Sequence, residues 1–171
     1  LEALRAIIHE AATIREGQTM RSKVVMVNDV SRALFEAPAV RQVCVELPEE
    51  DSTHADRVAD NVGHLQMSLY GTRDAAMNWQ EEIAITLTGD GFSRGRYNPC
   101  LYYHPRRRVK VLVHGDDFVL LSPRNYVKEF TDGLSQHMLV KVRGVLGPQQ
   151  KPGGDIGEIR ILNRLVSWKL P

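Results

Sequence analysis

The sequence predicts an α+β fold, an antiparallel sheet covered by helices on one face. Three observations predict it. Short β-rich runs at 24–27, 109–113 and 119–121 are bounded by Gly, Asp and Pro turns. Apolar residues recur at helical spacing in the segments between them. The 171 residues are enough for one domain with a real core and too few for two full-sized ones.

Leu1, Leu4, Ile7, Ile8, Ala11 and Ile14 recur at helical spacing, so residues 1–16 read as an amphipathic helix that stops at Gly17. The run 24–27 reads as a strand that leaves Asp29 at its C-terminal end. Residues 31–37 form a short helix closed by Pro38, and Val43, Val45 and Leu47 alternate as a strand ending at Pro48. Residues 49–61 are charged without apolar periodicity and read as a loop. Ala76, Trp79, Ile83 and Leu87 mark one face of a helix over 74–88, ended by Gly89-Asp90-Gly91. Two hairpins follow, 101–104 with 109–113 across Pro105 to Arg108, then 111–113 with 119–121 across His114 to Phe118. Ser122-Pro123 reads as an N-cap and first turn for a helix burying Val127, Phe130 and Leu134. Strand-like runs at 138–142 and 158–166 close the chain, separated by the Gly/Pro-rich 144–157.

Composition is that of an ordinary globular chain, with 43% hydrophobic and 25% charged residues. No apolar run approaches the ~20 residues of a bilayer span, which predicts no membrane partner. The first residues carry neither a signal-peptide pattern nor an initiator Met, so the chain reads as a segment of a longer product. The two cysteines, Cys44 and Cys100, have no metal-ligand spacing and give no disulfide framework. The six histidines likewise show no ligand spacing. Net charge is only +1, but Arg94, Arg96, Arg106, Arg107, Arg108 and Lys110 lie in one stretch without an acidic residue, interleaved with Tyr97, Tyr102 and Tyr103. That stretch suits a phosphate backbone, and Pro105 to Arg108 equally suits a solvated turn.

Asp116-Asp117 is the sharpest local feature. Two adjacent carboxylates in a tight turn beside apolar strands repel each other and lose hydration. A bound divalent cation relieves both costs, while the same residues also suit a plain hairpin. Asp29, ending another β-rich run, can converge on them within one sheet. Three such carboxylates can hold two metals ~3.5–4 Å apart, the arrangement of a nucleotidyl transferase.

The ordered motifs point to a family. Val27-Asn28-Asp29-Val30-Ser31-Arg32-Ala33-Leu34-Phe35 resembles the Asp-Val-x-x-Ala-Phe segment of copia-type retrotransposon reverse transcriptases. Val45-Glu46-Leu47-Pro48 resembles the strand end that follows. Leu69-Tyr70-Gly71-Thr72-Arg73-Asp74-Ala75-Ala76-Met77-Asn78-Trp79 is similar to the family's Leu-Tyr-Gly-Leu-x-Gln-Ala-Pro-x-x-Trp. Gly91-Phe92 and Asn98-Pro99-Cys100-Leu101-Tyr102 resemble further markers. Val113-His114-Gly115-Asp116-Asp117 stands in the place of Tyr-Val-Asp-Asp, and Leu146-Gly147 in that of the later Leu-Gly.

The resemblance spans residues 23–147 and implies RNA-templated DNA synthesis on a ferredoxin-like palm with partial fingers and no thumb. Residues 1–22 and 40–75 would be fingers-like, 23–39 and 76–147 palm, and 148–171 a strand-rich extension. Asp29, Asp116 and Asp117 would be the catalytic carboxylates and the ligands of two Mg²⁺ ions, with Mn²⁺ as a substitute. Leu34, Phe35 and Asp74 would line the nucleotide site. The implied partners are an RNA template, a DNA primer, deoxynucleoside triphosphates and other segments of a Pol polyprotein. The implied setting is cytoplasmic particles, then the nucleus.

Several positions depart from the family pattern. Leu34 stands where a bulky aromatic screens the sugar 2′-position, Asp74 replaces a Gln, Ala76 a Pro, and His114-Gly115 the Tyr-Val. A carboxylate at 74 repels triphosphate unless a cation answers it. Together these changes fit a decaying or truncated element. An inactive remnant, a palm-type cyclase with a Gly-Gly-Asp-Glu-Phe hairpin and a non-catalytic RNA-binding module are the rival readings.

Overall fold

The computed structural model describes residues 2–13 and 23–169. It begins with helix α1 (Glu2–Ala12), strand β1 (Lys23–Val30), a 3-10 turn (Ala33–Glu36), β2 (Cys44–Glu46), α2 (His54–Ala59) and β3 (Val62–His64). There follow α3 (Ala75–Gly89), β4 (Ser93–Arg94), β5 (Leu101–His104), β6 (Val109–His114) and β7 (Asp117–Pro123). A second 3-10 turn (Arg124–Tyr126), α4 (Val127–Leu134), β8 (Val140–Leu146), β9 (Glu158–Ile161) and β10 (Arg164–Ser167) complete the chain. Ile14 and Gly17, the expected end and stop of the first helix, lie outside the described residues. Among the described residues, no helix is long and apolar enough to cross a membrane.

The chain folds as two compact units. One joins the chain up to Ser31 with Ala84 onward, and the other is Arg32–Ile83, so the division falls within α3.

The first unit is mixed α+β. Its six-stranded sheet has the order β4-β5-β6-β7-β1-β8, every neighbour antiparallel. Helices lie on both faces of this sheet, not on one as expected. Leu4 and Ile7 of α1 pack with Val25, Val27, Leu112, Val119 and Leu121 on one face. The other face meets α4, where Thr131 Oγ1 lies 3.5 Å from Met26 Sδ. The reason is in the strands, since Val24 to Val27 and Phe118 to Leu121 are all buried. Side chains alternate across a strand, so a continuous apolar run must be covered on both sides.

Local chemistry ends the elements much as the sequence predicts. α3 stops at Gly91, whose φ of 88° closes the helix. Its N–H bonds Thr88 O and that of Phe92 bonds Leu87 O, the paired bonds of a Schellman cap. Gly115, at φ 62°, is the first residue of the two-residue β6–β7 turn, where a left-handed conformation matches the twist of the paired strands.

Four further expectations are corrected. Ser122 and Pro123 do not cap a helix but end β7, in register with Val24 and Lys23; α4 starts after the intervening 3-10 turn. The 158–166 run is not one strand but the β9–β10 hairpin, turned at Leu162 and Asn163, both at positive φ. β8 continues past residue 142 through Gly144 to Leu146 along β1. Its Gly144 leaves room for Ile156 and Ile159, whose Cδ1 atoms would lie 2.5 and 3.2 Å from a Cβ there and would have to shift.

The fourth correction falls in the second unit. Residues 49–61 are not all loop, because α2 forms there on a capping box. Asp56 N–H donates to Thr53 Oγ1, and Thr53 N–H donates back to the Asp56 carboxylate. These hydrogen bonds, the Thr53 hydroxyl and Asn61 first among them, hold the Asp56 carboxyl at about 2. Local capping thus builds a helix without apolar periodicity. β2 pairs with β3 in the same unit. Asn78 donates to buried Ser68 at 3.0 Å, and Trp79 is buried, as its helical spacing predicts.

Candidate active site

The β6–β7 hairpin and the C-terminal end of β1 bring the three candidate carboxylates to one end of the sheet. Asp29 is the register partner of Asp117 on the adjacent strand. Val30 N–H donates to the Asp116 carbonyl at 2.9 Å, fastening the turn to the end of β1. Asp116 is exposed, and Asp29 and Asp117 are half-buried.

Asp29 and Asp117 belong to a longer row. His114 pairs with Asp117, Asp117 with Asp29, and Asp29 with Lys141. Four ionisable side chains therefore cross β6, β7, β1 and β8 in register, on the face that carries Val25, Val27, Val119 and Leu121. Cross-strand partners share a face with Cβ atoms about 4.5–5.5 Å apart, and like charges so placed are destabilising.

Arg143 answers part of that repulsion. The β1–β8 register shifts between Val27 and Asn28, where β8 carries Arg143 as its extra residue. A bulge re-aims a side chain, and Arg143 Nη1 lies 2.9 Å from Asp117 Oδ1. An open cleft of about 400 Å³ adjoins this pair, lined by His114, Asp117, Arg143, Arg160, Leu162 and Asn163.

Carboxylate oxygens are hard donors of the kind Mg²⁺ prefers. Asp29 and Asp117, paired on one face, and Asp116, tied through its carbonyl to Val30, bring such donors to one end of the sheet. Their side chains are not drawn into a cage, for among the described residues no three His, Cys, Asp or Glu groups are gathered for a metal ion.

The basic stretch does not converge on the carboxylates. Arg106, Arg107 and Arg108 turn between β5 and β6 at the end of β6 opposite His114, about 17 Å away at ~3.4 Å per residue. Several of its cations are engaged within the unit. Arg107 pairs with Glu129 at 2.6 Å and stacks over Tyr126 at 4.4 Å. Lys110 forms an ion pair with Glu10 of α1, and Arg94 Nε donates to Pro99 O at 2.9 Å. Arg96 lies over the exposed Tyr97 ring at 6.0 Å.

The three residues expected at a nucleotide site lie in the second unit. Leu34 is half-buried, and Phe35 is exposed with its ring edge-on to Tyr70, centroids 5.3 Å apart. Asp74 does find a cation, since Arg41 Nη2 lies 3.4 Å from its carboxylate. That hydrogen bond is the main cause holding the Asp74 carboxyl below its ordinary value.

Sequence reasoning missed His114, Lys141, Arg143 and Arg160 as neighbours of the carboxylates. His114 was legible only as a sequence neighbour, and the others follow from pairing register and a bulge that local pattern does not encode. No protein-family model matches the chain.

Proposed function

We propose that this chain is the reverse transcriptase region of a copia-type retrotransposon, an RNA-directed DNA polymerase working by two-metal nucleotidyl transfer. The observation that carries the reading is the meeting of Asp29 and Asp117 as register partners, with Asp116 tied by its carbonyl to the end of β1. The element order supports it. β1, α3, β6, β7, α4 and β8 run as β-α-β-β-α-β, and their strands lie in the order β8-β1-β7-β6, the split arrangement of ferredoxin-like palms.

In this reading Asp29 and Asp116 would hold Mg²⁺ and Asp117 would support them. The ions would activate a primer hydroxyl and neutralise charge on the leaving pyrophosphate. The chain's own contribution is positional. The β6–β7 turn and its bond to Val30 fix Asp116 beside Asp29, and Arg143 holds the Asp117 carboxylate in place.

A second reading, a remnant that keeps the fold without polymerising, draws on the Asp117–Arg143 ion pair, because a carboxylate committed to a guanidinium is a poorer metal ligand. Primer extension on an RNA template with deoxynucleotides and Mn²⁺ separates the two. Incorporation that disappears in Asp116→Asn supports the polymerase. No incorporation from folded protein supports the remnant.

A further inference from the structure

We infer that the cleft beside Asp117 is a phosphate-binding site formed by Arg143 and Arg160. This rests on the polymerase reading only for the origin of the phosphate, a strand's backbone or a free polyphosphate. The lining holds two guanidinium groups and one carboxylate, and Arg143 already meets that carboxylate. Asp29 and Asp116 are not among the lining residues.

Each guanidinium has N–H groups to offer. Asp117 Oδ1 takes one Arg143 nitrogen, and a guanidinium carries five N–H donors in a planar fork suited to phosphate oxygens. Arg160 is exposed on β9, and its side chain makes no hydrogen bond or ion pair among the described residues. Across the lining, Asn163 adds a neutral carboxamide at the hairpin tip.

The wall that carries Arg160 is anchored. Ile159 and Ile161 flank it in sequence and are buried in the core of the α1 face. Leu162 turns the hairpin at φ 44°, a conformation rare for leucine, while its side chain packs against the same core. The opposite wall is the Arg143 bulge. Both arginines are therefore carried on anchored backbone, Arg160 between two core isoleucines and Arg143 at the bulge.

The test is binding without divalent metal, in EDTA, so that it does not depend on catalysis. The probes are a fluorescein-labelled RNA–DNA primer-template, followed by anisotropy, and inorganic pyrophosphate and dTTP, followed by calorimetry. Arg143→Gln and Arg160→Gln are compared with Lys128→Gln, an exposed α4 cation paired with Asp132. Circular dichroism melts establish that each variant is folded.

Several-fold weaker primer-template binding in both arginine variants, with a salt slope lower by about 0.7–0.9 per lost contact, assigns the cleft to a backbone phosphate. Weakened pyrophosphate and dTTP binding with unchanged primer-template binding assigns it to free polyphosphate. Unchanged binding of all three probes in folded variants, losses matched by Lys128→Gln, or no binding by the wild type overturns the inference. Primer extension by the wild type is scored separately. A chain that polymerises with indifferent arginines removes the cleft alone, and one that binds through them without polymerising removes only the polymerase reading.

Discussion

Arg143 reaches across β1 to Asp117: the two residues lie on β8 and β7, which flank β1, yet Nη1 and Oδ1 are 2.9 Å apart. Beneath that contact Asp29 faces Asp117 in register. A bulge on β8 thus supplies the counter-charge for a carboxylate two strands away.

The strength of that contact is measurable in a double-mutant cycle of Arg143→Ala and Asp117→Ala by urea unfolding. With Arg143 40% and Asp117 19% exposed, solvent screens the pair. The expected coupling is about 0.2–1 kcal/mol. A coupling near zero would show that the pair forms without holding Asp117.

Asn28, next to Asp29 but on the other face, is 1% exposed, and neither side-chain polar atom has a hydrogen-bond partner among the described residues. Desolvating such a group costs about 1–3 kcal/mol. Asn28→Val, apolar and only a little larger than asparagine, should raise the urea midpoint correspondingly. A lowered midpoint would reveal a bound water at that site.

Asp155, whose side chain is fully buried, forms an ion pair with Arg124 and accepts from Gln149 N–H at 2.8 Å. Removing the cation strands a buried carboxylate. Arg124→Met should therefore destabilise by about 3 kcal/mol, and Asp155→Asn by less. Equal losses in denaturant titrations would mean that the stranded carboxylate costs no more than the stranded guanidinium.

His104 links stability to pH. Its ring is buried edge-on to Phe92 and accepts from Arg107 N–H at Nδ1. Burial first, then the charges of Arg107 and Arg106, holds it below its ordinary 6.5. The unfolded chain thus takes up a proton near pH 6.5 that the folded protein refuses. Stability is full above that pH and falls as pH drops through 6.5 toward the lower folded value. Melts of wild type between pH 8 and 5 should show this loss, and His104→Gln, although less stable, should lose that component.

Much of the local structure was legible in the residues. Helical spacing placed α3 and buried Trp79, and the two hairpins around β6 follow from Gly, Pro and Asp between β-rich runs. Asp29 and Asp116 reach the same end of the sheet, as strand ends alone foreshadow. α2 escaped because a capping box, not apolar periodicity, builds it.

What the sequence by itself determined is the elements with a clear local signal, such as α3 and the two hairpins around β6, because those depend on side chains within a few positions of one another. Only the tertiary structure decided what stands next to what. The His114-Asp117-Asp29-Lys141 row depends on the register of four strands distant in sequence, and Arg143 meets Asp117 only because β8 bulges against β1. Arg106, Arg107 and Arg108, by contrast, reach the far end of the sheet through the local β5–β6 hairpin, which the sequence already foreshadows.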